Sequence, residues 1–546
     1  MKYFYLLLGV LLSSNLSNAQ NPGNVSGYSL WLSTAPVVEN TLLLKPKNPF
    51  QIQATHFNFN KMLDSKEIGK KLKNIVKDQY SLFLVFKSDT EDERPVLTIN
   101  KGKSIIFLTN KELLSDTEMV YKKVDSRKGI LLSFISNTIA KGKKNNGITL
   151  EDFYNGDTEG KQQLMEVLYY PRLLSVKDRQ KVETYLSLKY GLSILGEFDY
   201  INSLGDKIWD YKLNTTYSNR VTGIGRDNAL NLYQKQSGNA EKDGLYIGLG
   251  IVDTTNVLNK SKLNDLSFML WGDNKGSIKL EHDKTQKDVQ FMKRQWKMQL
   301  SGHFADTATT QVRISKKEMG IDHATDDFIY LAVNDDDSPV FDYASAHYYK
   351  QSREDEEYIY FNTISWDKDK SGSDTFTFVK GPEFMVNFNA LASCDTASGK
   401  IKLGITGTAP YNVNLKSDNS SKTITISDSY YEFSDLSSSV YAIEVTDSKG
   451  KSQSYTVTLD AFASAGISLK SDWILTTNGQ VLIAPVVSGT DTENFIFDWQ
   501  KAGRTVSSDK EFMAREAGDY ILIITNASGC KKELAFKVSA SNAPSG

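Results

Sequence analysis

Apolar runs of strand length, bounded by polar residues, recur along the whole chain. Ser81-Leu82-Phe83-Leu84-Val85-Phe86 and Gly129-Ile130-Leu131-Leu132-Ser133-Phe134 are two of them, and they predict core strands of a sandwich. Glu166 to Tyr170 reads as another strand, broken by Pro171-Arg172. A helix is predicted next. Ser175 caps it, with Asp178 three residues on. Val182, Leu186 and Tyr190 repeat at four-residue spacing as a buried stripe, and Gly191 supplies the left-handed stop. Lys66 to Lys77 is basic and weakly helical, a solvated insertion.

From Phe198 to Phe388 strand-and-turn units dominate: Leu245 to Gly250, Phe268 to Asp273, a half-exposed strand at Arg294 to Leu300, and a buried one at Phe328 to Val333. Tyr358 to Ser365 and Thr375 to Val379 predict a hairpin. The glycine-rich run Asn219 to Asp227 suits a tightly packed, twisted strand, with Arg220 and Asp227 as its buried ion pair.

The tail repeats itself. Tyr441 to Gly450 matches Tyr520 to Gly529 at an offset of 520 − 441 = 79 residues, about the size of an immunoglobulin-like sandwich. Trp499 is the expected core tryptophan of the second copy. The fold class is therefore mainly β and multidomain.

The N-terminus places the chain. Lys2 precedes the apolar run Tyr3 to Leu12, and Ser17-Asn18-Ala19 forms a small-residue cleavage site, so residues 1–19 read as a secretory leader. The apolar run is too short for a membrane anchor, and no span remains after cleavage. A net charge of −2 gives no electrostatic case for nucleic acid. With only two cysteines, Cys394 and Cys530, the chain is no disulfide scaffold, and its domains depend on hydrophobic burial.

These segments resemble a family of Bacteroidetes secreted surface proteins. Residues 24–195 resemble a concanavalin A-like, laminin-G-type jelly-roll sandwich, through Ser81 to Phe86 and Val182 to Leu192. Residues 196–389 are similar to the uncharacterised β-rich domain that follows it, through Asp206 to Trp209, Asn219 to Asp227 and Leu270-Trp271-Gly272-Asp273. Residues 390–461 and 462–540 resemble the immunoglobulin-like repeats of gliding and adhesion proteins, through Gly407 to Tyr411 and Val445 to Gly450. Such repeats often carry a cysteine near each end. Here the first copy has Cys394 but Lys451 at the second place (530 − 79 = 451), so Cys394 and Cys530 are expected not to be bonded to each other. Proteins of this kind often end in a type IX secretion sorting domain, and none is read after Val538.

Candidate chemistry is sparse. The five histidines show no metal-ligand pair, and there is no nucleophile elbow or phosphate-binding loop. Glu151, Asp152 and Glu166 are the carboxylates nearest the expected sandwich strands. Asp367, Asp369, Ser371 and Asp374 place oxygen ligands at spacings that resemble the start of a calcium loop. Phe378 stands where such a loop carries its bidentate Glu, and a solvated hairpin tip is the plain alternative. Asn334 to Asp337 is a second acidic loop. No other cofactor is implied. The resemblance implies a non-enzymatic binding or adhesion protein at the outer cell surface, taking a polysaccharide or a cell-surface protein as ligand. Two other classes stay open: an accessory of a gliding or type IX secretion apparatus with an outer-membrane partner, and a carbohydrate-active enzyme.

Overall fold

The structure is a computed structural model. It describes residues 21–540 except 35–55, 64–71, 74–75, 90–91, 102–103, 116–120, 124–128, 138–145, 151–161, 195, 242–243, 283–287, 305–307, 322–326, 336–340, 392–397, 460–465, 489–494 and 526–529. The leader reading, Glu151, Asp152, Cys394 and most of the predicted basic insertion lie outside the described residues. Where the insertion is described, Leu72–Lys73 forms a strand rather than a helix.

The chain is mainly β, built of open multi-sheet sandwiches. It divides into two compact units. The first comprises Met1–Leu280, Met292–His323 and Gln351–Thr375; the second comprises Glu281–Phe291, Ala324–Lys350 and Phe376–Gly546.

In the first unit, Leu30–Leu32, Gln162–Tyr170, Tyr80–Ser88 and Ile130–Ser136 form a four-stranded sheet in that order. A six-stranded sheet runs Leu72–Lys73, Gly147–Leu150, Pro95–Lys101, Ser104–Thr109, Glu112–Ser115, Tyr121–Lys123. Leu82, Leu84 and Phe86 pack with Leu97, Ile99 and Leu108 in one core, whereas Phe83 and Val85 enter a second core. Tyr80–Ser88 is thus buried on both faces, which is why it reads as a continuous apolar run rather than an alternation.

The second core is built on the helix Val176–Tyr190, here α1. The Ser175 side chain accepts from Asp178 N, and Gly191 closes the helix at φ 63°, both as predicted. The buried surface is wider than one stripe: Val182 through Leu188 are all buried. Tyr185, Leu186 and Leu188 share a core with Phe83 and Leu168 of the first sandwich and with Trp209, Leu232 and Phe268 of the following block. A helix covered on two sides needs apolar or satisfied residues around most of its circumference. The hairpin His56–Phe57/Asn60–Lys61 fastens the same junction. Asn60 Nδ2 donates to Lys189 O (2.7 Å) and Gln234 Oε1 (3.0 Å), and Asn58 Oδ1 accepts from Gly238 N (3.0 Å).

The block beyond α1 contributes two larger sheets to this unit besides the short pair Tyr200–Ile201/Lys207–Trp209. Leu232–Gln234, Asn219–Asp227, Ser267–Asp273 and Trp296–Gly302 are neighbours in one. The other has five strands: Gln236–Gly238, Leu245–Leu249, Thr310–Ser315, Tyr358–Ile364, Arg353–Glu354. The glycines of the Asn219–Asp227 strand allow close approach, since a Cβ on Gly223 would stand 2.6 Å from Met269 O. The predicted hairpin of Tyr358–Ile364 with Ser373–Gly381 does not form, because the two strands belong to different sheets. Alternation identified both strands but carries no information about their partners.

In the second unit, Phe328–Asn334 pairs with His347–Lys350 over a small core of Tyr330, Ala332, Phe341 and Val379. The first tail sandwich packs Val386–Leu391, Gly399–Ile405 and Tyr430–Leu436 against Ser420–Ile426, Tyr411–Ser417, Ser439–Thr446 and Ser452–Leu459. The second centres on Lys531–Ser539, Gly518–Thr525 and Ile496–Lys501, with Asp472–Ile474 added in parallel. Trp499 is fully buried there, and its Nε1 donates to Asp509 O. The internal repeat is real at the level of hydrogen bonds. Tyr441 OH donates to Ser437 O and Tyr520 OH to Glu516 O, both at 2.9 Å and both four residues back. This is the tyrosine corner of immunoglobulin-like sandwiches.

Candidate functional site

Glu166 is fully buried in the strand Gln162–Tyr170. Its Oε1 accepts from Trp31 Nε1 (2.7 Å) and Tyr185 OH (2.9 Å), and its Oε2 from Lys189 Nζ (2.7 Å) and Tyr190 OH (2.8 Å). Tyr185, Lys189 and Tyr190 all come from the last turns of α1, so the carboxylate ties the helix to the sheet. Burial, then the Glu166 carboxylate, pushes both tyrosines well above the usual phenol range. They remain neutral donors. Four donors around one carboxylate occupy the lone pairs that acid–base chemistry would use.

The glycine-rich run also resolves into structure, with a different pairing from the one predicted. Arg220 forms a bidentate pair with the buried Asp273, through Nε and Nη2. Asp227 instead accepts from Ser203 N (2.8 Å) and Leu230 N (3.1 Å). Register decides this: Asn219 lies opposite Asp273, which brings the neighbouring Arg220 beside that carboxylate, while Asp227 lies opposite Leu232 at the far end of the strand. Arg226 lies over the Tyr233 ring and donates to Leu263 O.

The loop proposed for calcium brings its residues together. Asp374 Oδ2 accepts from Asp367 N (2.6 Å), Asp367 Oδ1 from Gly372 N (2.7 Å) and Asp369 Oδ1 from Ser371 N (3.0 Å). Ser371 Oγ donates to Ser373 O. Among the described residues no group of three or more His, Cys, Asp or Glu side chains is placed to hold a metal ion. Of the second acidic loop, Asp335 is described, and it meets His347 Nε2 at 3.1 Å.

In the tail, Lys451 has a partner of its own. Lys449, Lys451 and Lys350 surround Glu383 at 3.0, 3.1 and 3.3 Å, and their ammonium groups hold its carboxyl down at about 2. Cys530 is disulfide-bonded, and no described cysteine is free. Cys394 is the chain's only other cysteine, so the expectation of two unbonded thiols is overturned. That expectation rested on Lys451 standing where such repeats carry their second cysteine.

One surface cluster went unread in the sequence. On the five-stranded sheet, Tyr246 stands opposite Arg313, Arg313 opposite Tyr360, and Tyr360 opposite Arg353, so a Tyr-Arg-Tyr-Arg row crosses four strands. The other face of these strands is core: Leu245, Ile247, Val312, Ile314, Ile359 and Phe361 are buried. The Arg313 guanidinium lies 4.7 Å from the Tyr246 ring, 4.5 Å from Tyr358 and 5.8 Å from Phe59. Arg353 lies 3.4 Å over Tyr360, whose hydroxyl donates to Asp355 at 2.6 Å. Tyr246, Arg313, Tyr358 and Phe59 are half-buried, Arg353 is exposed, and Tyr360 is buried beneath it. Arg313 Nε is closed from solvent with no acceptor among the described residues. The sequence signal is faint: tyrosines at outward-facing positions of strands, meaningful only once four strands are in register.

Comparison with family models finds one match, a domain of unknown function (DUF8202), over residues 178–370. It covers about a third of the chain, begins inside α1 and contains the Tyr-Arg row. No curated protein matches the chain. Solved structures similar to it include the fibronectin(III)-like modules of Clostridium thermocellum CbhA (14% identity, 29% of this chain and 94% of that one, TM-score 0.20). Others are a Dpr11 IG1 bound to DIP-gamma (10%, 29% and 98%, TM-score 0.15) and a Dscam structure (9%, 45% and 80%, TM-score 0.14). Scores this low leave the description of the fold resting on the strand pairing above.

Proposed function

We propose that the chain is a non-enzymatic extracellular binding or adhesion protein displayed at the cell surface, with a polysaccharide or a partner surface protein as ligand. The observation that supports this most is the row of tyrosines and arginines on the outer face of the five-stranded sheet, half-buried at Tyr246, Arg313 and Tyr358 and exposed at Arg353. Aromatic and guanidinium groups are the side chains most used for recognition at low entropic cost. The unit that carries the row is stiffened by α1 and the Asn58–Asn60 hairpin, which fits a recognition head, and two immunoglobulin-like sandwiches suit a stalk. The leader reading of residues 1–19 supplies the route out of the cell. A glycan array combined with a pull-down from cell-surface extract tests the proposal. Capture of a glycan or a surface protein by folded protein is expected, and silence in both removes the binding role.

The second reading is an accessory of a gliding or type IX secretion apparatus, motivated by the repeat-built tail. It requires co-purification with an outer-membrane protein and a motility or assembly defect on deletion. Free monomer in the medium opposes it. The third, a carbohydrate-active enzyme, has Glu166 as its nearest described carboxylate, and that group is enclosed by Trp31, Tyr185, Lys189 and Tyr190.

A further inference from the structure

We infer that the Tyr246–Arg313–Tyr360–Arg353 row, with Tyr358 beside it, is a binding site for an uncharged, extended polysaccharide. The assignment rests on the binding function proposed above and names its site and ligand class.

Three features carry it. The first is direction. The row runs across strands spaced by an interstrand step of about 4.8 Å, so a ligand lying along it meets Tyr246, then Arg313, then Arg353, which covers the buried Tyr360. That step is close to the advance of one sugar unit in an extended glycan. A peptide recognised by strand addition would instead lie along an open edge, such as Arg353–Glu354, and use backbone hydrogen bonds. The second is the alternation of group types. The half-buried Tyr246 and Tyr358 offer apolar ring surface to the C–H surface of a pyranose, while the guanidinium groups offer planar hydrogen-bond donors to its hydroxyls. Tyr246 can lie low over the sheet because its cross-strand neighbour is Gly238, where a Cβ would stand 2.3 Å from the Tyr246 ring.

The third is Arg313 itself. Three rings hold its guanidinium in place, and its enclosed Nε has no acceptor among the described residues. A guanidinium fixed in position with its Nε enclosed and unpaired is a poor stabiliser of the fold, since an enclosed, unpaired donor costs free energy. It is a good partner for an incoming oxygen. The charge around the row points to an uncharged ligand. Glu354 ends the edge strand, Asp355, Glu356 and Glu357 form the turn that follows it, and Glu318 lies near Gly244, whereas Lys316 is tied to Glu354 at 2.9 Å. An anionic polymer laid along the row would face this acidic run.

The test uses the full chain in affinity electrophoresis and calorimetry with laminarin, xyloglucan and galactomannan, and with alginate as the anionic arm. Retardation by at least one of the three neutral polymers is expected. Arg313→Met and Tyr358→Ala should each weaken that binding tenfold or more while near-ultraviolet circular dichroism stays native. Arg313→Lys, which keeps the charge and loses the planar fork, should also bind more weakly. Wild-type affinity in both Arg313→Met and Tyr358→Ala overturns the site. Preferential binding of alginate overturns the ligand class. If the wild-type chain binds no polymer but captures a surface protein, the glycan site falls and the binding function stands. Capture of neither removes both.

Discussion

Replacing Glu166 by glutamine probes the joint between the first sandwich and α1. The substitution preserves shape and changes one oxygen to an amide nitrogen. Each Glu166 oxygen accepts two bonds, so either orientation of the amide leaves two donors facing an NH2 group: Trp31 Nε1 and Tyr185 OH, or Lys189 Nζ and Tyr190 OH. A buried donor stripped of its acceptor costs about 1–3 kcal/mol. Lys189 is 15% exposed and can turn its ammonium toward water, so the loss lies near the lower half of the summed range, about 3 kcal/mol. For a unit larger than 250 residues this corresponds to a fall of about 5 °C in its melting temperature. Scanning calorimetry reads the shift directly. Combined with Lys189→Met, a double-mutant cycle should return a coupling of about 1–3 kcal/mol. A shift below about 1 °C, or a coupling near zero, would refute the claim that this carboxylate holds the helix to the sheet.

The remaining predictions concern the tail and the acidic loop. Thiol titration after unfolding without reductant should find no free thiol, since Cys530 is bonded and Cys394 is its only candidate partner in a monomer; two thiols per chain would contradict this. Glu383 is ionised far below its usual pKa of 4.5, so its contribution to stability is present above that pH and is lost as pH falls through about 2. Melting curves of wild type and Glu383→Gln should therefore differ at pH 6 and low salt and converge near pH 2, and a difference that persists there argues against the lysine cluster. Calcium should leave the melting temperature unchanged, because Asp367, Asp369 and Asp374 already accept backbone N–H bonds within their loop; a rise that Asp369→Asn abolishes would establish a calcium site.

Local features were legible in the sequence, and long-range ones were not. The cap at Ser175, the stop at Gly191, the strand at Ser81 to Phe86 and the 79-residue repeat each depend on residues close in the chain or on self-similarity. The Arg220 partner was missed because Asp273 is 53 positions away and becomes its neighbour only through the register of Asn219–Asp227 on Ser267–Asp273. The supposed hairpin at Tyr358 failed for the same reason, since a two-residue period marks a strand but not its neighbour. The cysteine expectation failed because it was read from the spacing within one repeat, which carries no information about pairing outside that repeat. The Tyr-Arg row needs four strands in register, so its residues carry no signature one at a time.

The central claim is that this chain holds a polysaccharide without cleaving it. Its most direct test is a co-sedimentation of the full-length protein with insoluble neutral polysaccharide, followed by a reducing-end assay on the supernatant. The account predicts retention of the wild-type chain, loss of retention with Arg313→Met, and no new reducing ends over a long incubation. Reducing ends that appear with wild type and vanish with Glu166→Gln would contradict it.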